Sequence, residues 1–114
     1  MDYKRFNNSK KIQYFDRGIS ALEHIIKNER FKEDDSILLP RFICKEVVDL
    51  FEEMNLKIFF YDINFNLNKI VKFPKVQNLR FFLFVNYFGF KFELSKEIIN
   101  FIENSMVIED NSHN

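Results

Sequence analysis

The chain reads as short apolar runs separated by polar stretches, and the spacing inside each run suggests its element. Apolar residues at 19, 22, 25 and 26 recur at helical spacing, so Asp16-Arg17-Gly18-Ile19-Ser20 opens a helix expected to continue to Asn28. Asp16 or Ser20 can satisfy the first free N–H groups of that helix. A second helix is expected over 45–55, with Val47, Val48, Leu50, Phe51 and Met54 on its buried face. A third is expected over 94–103, packing through Ile98, Ile99, Phe101 and Ile102. Strands are expected at 36–39, stopped by Pro40, and at 56–61, 79–85 and 106–108. The run Leu79-Arg80-Phe81-Phe82-Leu83-Phe84-Val85 is nearly all apolar, which argues burial on both faces, as in a parallel sheet. Residues 1–15 read as an irregular lead-in or short helix, and 63–78 as polar and irregular.

The order is then helix, strand, helix, strand, strand, helix, strand. Such alternation implies crossover units and an α/β fold with a mainly parallel sheet. Strand tips deliver residues 40–44, Asp62, residues 86–89 and residues 109–113 toward one edge of the sheet. Ligands of open α/β sheets bind outside the carboxyl ends of the strands.

Composition narrows the function classes. The chain has 114 residues, 46% hydrophobic and 30% charged, which fits one small globular domain or part of a larger one. Lys+Arg and Asp+Glu are 17 each, so no global field steers nucleic acid or acidic membranes. The 16 Phe fall mainly in apolar runs and read as core, not as a stacking platform for bases. A single cysteine, Cys44, excludes an internal disulfide and a Cys-rich zinc site, and two well-separated histidines, His24 and His113, argue against any metal centre. The first residues lack an apolar signal core and no run is long enough to span a membrane, so the expected location is the cytoplasm.

Three stretches carry candidate chemistry. Met106-Val107-Ile108-Glu109-Asp110-Asn111-Ser112-His113 runs a buried strand into acids and a histidine. Gly18 and Ser20 open a helix whose free N–H groups and dipole favour an anion, although a plain helix cap explains them as well. Cys44 begins a helix, where a thiolate is favoured, but no base adjoins it in sequence.

Taken in order, Arg17-Gly18-Ile19-Ser20-Ala21-Leu22, Ile37-Leu38-Leu39-Pro40-Arg41-Phe42-Ile43-Cys44, Phe60-Tyr61-Asp62-Ile63, Val85-Asn86-Tyr87-Phe88-Gly89 and Val107-Ile108-Glu109-Asp110-Asn111-Ser112-His113 resemble the DegT/DnrJ/StrS family of sugar aminotransferases. These enzymes depend on pyridoxal 5′-phosphate (PLP). The resemblance spans 16–114, after a lead-in at 1–15. It implies the N-terminal portion of a three-layer, aspartate aminotransferase-like (fold type I) large domain. It also implies cofactor-binding roles. Gly18, Ile19 and Ser20 match the turn that holds the cofactor phosphate, with Ile19 replacing a residue that is often hydroxylated. Cys44 takes the place of an aromatic that stacks on the pyridine ring. Asp110 matches the acid that pairs with the protonated pyridine nitrogen, which keeps the ring an electron sink. His113 matches the residue that reaches the phenolic oxygen, and Asn86 stands where many relatives have His.

The family's Schiff-base lysine lies downstream of the Asp motif, and no lysine here matches it, so no catalytic residue is assigned. The resemblance therefore implies a fragment of an aminotransferase for nucleotide-linked keto sugars, in amino-sugar or polysaccharide biosynthesis, inactive alone. It implies a homodimer or a complementary C-terminal half as partner. The alternative is a stand-alone, non-catalytic α/β binding or assembly module derived from that fold. A receiver-like domain is disfavoured, because paired early acids and a late lysine are missing. The long apolar strand at residues 80–88 is expected to be an aggregation hazard if nothing covers it.

Overall fold

The computed structural model describes residues 18–111 and the backbone of residues 12–15. Ten elements follow in order: strands β1 (Ile12–Phe15), β2 (Ser36–Pro40), β3 (Lys57–Ile63), β4 (Ile70–Lys72), β5 (Leu79–Val85) and β6 (Met106–Asp110), helices α1 (Gly18–Lys27), α2 (Lys45–Glu53) and α3 (Lys96–Phe101), and a 3₁₀ turn at Tyr87–Gly89. The strands form one sheet in the order β1-β6-β5-β2-β3-β4. The pairings of β1 with β6, β6 with β5, β5 with β2 and β2 with β3 are parallel, and β4 adds an antiparallel edge. The result is a compact α/β domain with a mostly parallel mixed sheet, of radius of gyration 13.0 Å.

Each expected strand and helix of the central alternation forms, with shifted ends. Burial explains why: every residue of β2 and β6 is buried, as two-sided parallel strands require. β2 does end at Pro40, which is its last residue, at a position beyond the last β5 pairing at Leu38. A residue without an N–H is tolerated there. The end of α2 is fixed by a paired cap: the Leu56 N–H donates to the Phe51 carbonyl at 3.2 Å and the Asn55 N–H to the Glu52 carbonyl at 3.0 Å. Asn55 takes the left-handed conformation this cap requires (φ 63°), and buried Leu56 supplies its apolar contact. Ser95 caps α3, its hydroxyl accepting from the Ile98 N–H at 3.2 Å.

Two expectations are corrected. Residues 12–15 are neither irregular nor helical but form edge strand β1, in register with residues 107–110 of β6. Residues 63–78 are not wholly irregular, since Ile70–Lys72 pairs with the end of β3. Both strands are short, and each is defined by a neighbour distant in sequence. The condition for an aggregation hazard at residues 80–88 is not met along the strand itself, since β5 lies between β6 and β2 and Phe81 to Val85 are buried, while Phe88 beyond it is exposed.

Strand alternation sorts the core into two layers. Phe81, Leu83 and Val85 share one face with their partners Met106, Ile108 and Asp110, and Phe31 meets Phe81 edge-on there. Phe82 and Phe84 point the other way, with Val107 and Glu109 opposite them. Tyr61 stacks on Phe82 at 5.4 Å and Phe92 closes over Tyr61 and Phe84, making an aromatic layer on that face. The Tyr61 hydroxyl, fully buried, donates to the Leu83 carbonyl at 2.7 Å.

The connections set where a site can form. Through α2 the chain steps from β2 to β3, toward one edge, and through α3 it steps from β5 to β6, toward the other. Right-handed crossovers in opposite directions put α2 and α3 on opposite faces. The order therefore reverses between β2 and β5, and a crevice opens at their carboxyl ends.

Candidate functional site

That crevice is a cleft of about 450 Å³, within the range of small-ligand sites. The loop after β2 supplies Phe42, Ile43 and Cys44, and the first turn of α2 supplies Glu46 and Val47. The end of β5 supplies Val85, and Tyr87 follows it. Gly18 and Ile19 reach the cleft from the start of α1, and Asp110 from the last position of β6. The walls are mostly apolar.

Asp110 is 5% exposed, held at the floor by its strand. Its backbone carbonyl accepts from the Asn86 N–H at 3.1 Å, which ties the tips of β5 and β6 together. Tyr87 forms a wall. Its hydroxyl donates to the Phe42 carbonyl and its ring lies 5.4 Å from that of Phe42, so the loop after β2 is strapped to the tip of β5. Burial, and then the charge of Asp110, push the Tyr87 phenol well above its ordinary value, which keeps it protonated and donating. Gly18 opens α1 with φ +52°, and a Cβ built there meets nothing within 4 Å. Glycine is needed there for its backbone conformation, not for close packing.

Four of the seven residues singled out from the sequence, Gly18, Ile19, Cys44 and Asp110, line this one cleft. Ser20 is exposed in the first turn of α1 and does not line it. Cys44 is an exposed free thiol at the N-cap of α2, making no capping hydrogen bond through its side chain. Asn86 is engaged behind the cleft. Its Nδ2 donates to Glu109 Oε2 and to Asn111 Oδ1, each at 2.6 Å, and its Oδ1 accepts from the Phe92 N–H at 2.8 Å. His113 lies outside the described residues.

Tyr87, Phe42 and Glu46 were not singled out in the sequence as site residues. Tyr87 and Phe42 lie within the strand tips the sequence does mark, but which side chain turns inward depends on strand register. Glu109 was read only as a strand-end acid. It is 1% exposed, and its Oε1 has no hydrogen-bond partner among the described residues.

Among the described residues no lysine lines the cleft, and no group of three or more His, Cys, Asp or Glu is placed to hold a metal. No helix among them is long and apolar enough to cross a membrane. Fold and cleft together define an α/β domain with a ligand-sized crevice at its topological switch point. No protein-family model, curated protein or solved structure matches the chain.

Proposed function

We propose that the cleft is the cofactor side of a PLP site, and that the domain is part of an aspartate aminotransferase-like large domain of the DegT/DnrJ/StrS type. The observation that carries this reading is the buried Asp110 carboxylate at the floor of an apolar cleft, with Gly18, Ile19 and Cys44 on its walls. The residues present fit the group on chemical grounds. A flat pyridine ring suits walls made by Phe42, Tyr87, Val85 and Ile43, and a carboxylate withdrawn from water is the partner a protonated ring nitrogen needs. The first N–H groups of α1 would face the phosphate.

PLP, when bound, supplies an electron sink for amino-group chemistry. In this reading Asp110 holds the proton on the ring nitrogen, and Cys44 lies against the ring. The Tyr87–Phe42 strap fixes one wall. Because no lysine lines the cleft among the described residues, this chain is read as holding the cofactor without turning it over alone. The same observation favours a second reading, a non-catalytic binding module derived from that fold. A nucleotide-linked keto sugar as substrate, and a second copy or complementary half as partner, belong to the first reading.

Titration of the purified chain with PLP and pyridoxamine 5′-phosphate, followed by cofactor absorbance and by calorimetry, tests the site. Saturable one-to-one binding that Asp110→Asn abolishes is expected. Absence of binding in a chain with a cooperative melt would sink the cofactor reading. Turnover with PLP, glutamate and a keto-sugar nucleotide would overturn the claim that the chain is inactive alone.

A further inference from the structure

We propose that the β4 edge of the sheet is a docking surface for an acidic lipid bilayer, a role independent of the cofactor reading. From Ile63 to Phe92 the sequence holds no Asp or Glu but carries Lys69, Lys72, Lys75, Arg80 and Lys91, although the whole chain has 17 residues of each sign. Arg80 is paired with Glu29 at 3.1 Å. Lys69, Lys72 and Lys75 are exposed and follow one another along edge strand β4 and its continuation. Three acids beside this row have partners of their own. Asp62 lies 2.7 Å from Arg41, Asp34 lies 4.0 Å from Lys57, and Glu93 Oε2 accepts from the Asn68 side chain at 3.0 Å. The row therefore keeps a positive surplus.

The β3–β4 loop, just before the row, holds an aromatic ring out in water. Phe65 is 99% exposed, and Val71, in β4, is 62% exposed. Asn64 fixes the loop: its Oδ1 accepts from the Asn68 N–H at 2.9 Å and the Lys69 N–H at 3.1 Å, and its backbone N–H donates to the Lys69 carbonyl at 2.9 Å. Leu67, at φ 59°, packs against the core while Phe65 faces out. The ring is thus displayed by a loop closed through its own hydrogen bonds.

Three kinds of partner suit cations beside apolar groups, and the geometry favours one. A peptide adding as a strand needs a long regular edge. β4 spans only Ile70–Lys72, its register with β3 shifts between Asp62 and Ile63, and Pro74 follows it. A single-stranded nucleic acid needs successive rings on which to stack bases, and this edge displays one wholly exposed ring among the described residues. A bilayer needs neither. Phe65 and Val71 enter the boundary between headgroups and acyl chains, and the lysines reach the headgroup phosphates while their stems cover apolar surface.

Sedimentation of the purified chain with phosphatidylcholine vesicles, with and without about one-third phosphatidylserine, tests this at low and high salt. Binding to the acidic vesicles is expected to be at least about tenfold tighter than to the neutral ones, and to weaken as salt rises. Phe65→Ser is expected to weaken it by about tenfold, and Lys69→Gln with Lys72→Gln by about tenfold or more. These side chains are exposed, so the variants should melt like the wild type by circular dichroism. Lys27→Gln with Lys32→Gln, in and after α1, should weaken binding by less than about twofold. The chain has no Trp, so Phe65→Trp is a single reporter, and its emission is expected to shift blue on acidic vesicles and to be quenched by brominated lipid. Equal binding to both vesicles, binding to neither, or an equal loss in the Lys27 and Lys32 variant overturns the inference. Unmoved emission of the Phe65→Trp variant overturns it as well. Tighter binding of poly-uridylate RNA than of acidic vesicles overturns it in favour of a nucleic-acid surface.

Discussion

Replacing Asn86 with Ala removes a hub without emptying the cleft. Asn86 is 6% exposed, and its amide makes three hydrogen bonds, at 2.6, 2.6 and 2.8 Å, that join β5, β6 and the segment leading to α3. Its Nδ2 is the side-chain donor to Glu109 Oε2, and Oε1 of the same carboxylate is already without a partner among the described residues. After the substitution a carboxylate 1% exposed loses its one side-chain donor among the described residues. Leaving a buried carboxylate without its hydrogen-bond donor costs about 2–3 kcal/mol. Against a total stability of about 5–15 kcal/mol, the variant still folds. With a urea m-value of about 2 kcal/mol/M, the unfolding midpoint should fall by about 1–1.5 M, with m unchanged. Adding Glu109→Gln removes the stranded charge and should recover about 1–3 kcal/mol. The assay is urea denaturation of the wild type, both single variants and the double variant, followed by circular dichroism. If Asn86→Ala costs under about 1 kcal/mol, or if the two substitutions simply add, the tips of β5 and β6 are not joined through this carboxylate.

Other outcomes follow from single contacts. Tyr61→Phe leaves the ring stack on Phe82 in place but strips the hydroxyl from the Leu83 carbonyl, and should cost about 1–2 kcal/mol in the same denaturation assay. The Tyr61 and Tyr87 phenols are both raised above 10.0, by burial first and then by the Tyr87 and Asp110 charges respectively. The unfolded chain therefore releases these protons first. Stability is fully retained below about pH 10 and falls above it by up to about 1.4 kcal/mol per pH unit per group, and Tyr61→Phe or Tyr87→Phe should each flatten the fall. Gly18→Ala meets no atom within 4 Å, so its cost should be the backbone strain of φ +52° alone, about 1–2 kcal/mol by thermal melting. Cys44 is exposed and lines the cleft, so iodoacetamide should alkylate it in the free chain, and saturating pyridoxamine 5′-phosphate should slow that reaction.

Helical spacing and near-continuous apolar runs are local properties, and they determine the alternation of α1, β2, α2, β3, β5, α3 and β6 without reference to packing. The strand-tip acids were legible for the same reason, since a buried run ending in Glu109-Asp110 must deliver them at its carboxyl end. Tertiary structure decided the rest. Strands β1 and β4 exist because residues 107–110 and the end of β3 lie beside them, and nothing in four or three consecutive residues encodes that neighbour. The two acids at the tip of β6 look alike in sequence. Register with Phe84 and Val85 turns Glu109 toward the aromatic layer and Asp110 into the cleft, because successive side chains of a strand face opposite ways. Chain order gave the pieces of the cleft. The reversal of strand order between β2 and β5 brought Gly18, Cys44, Tyr87 and Asp110 together.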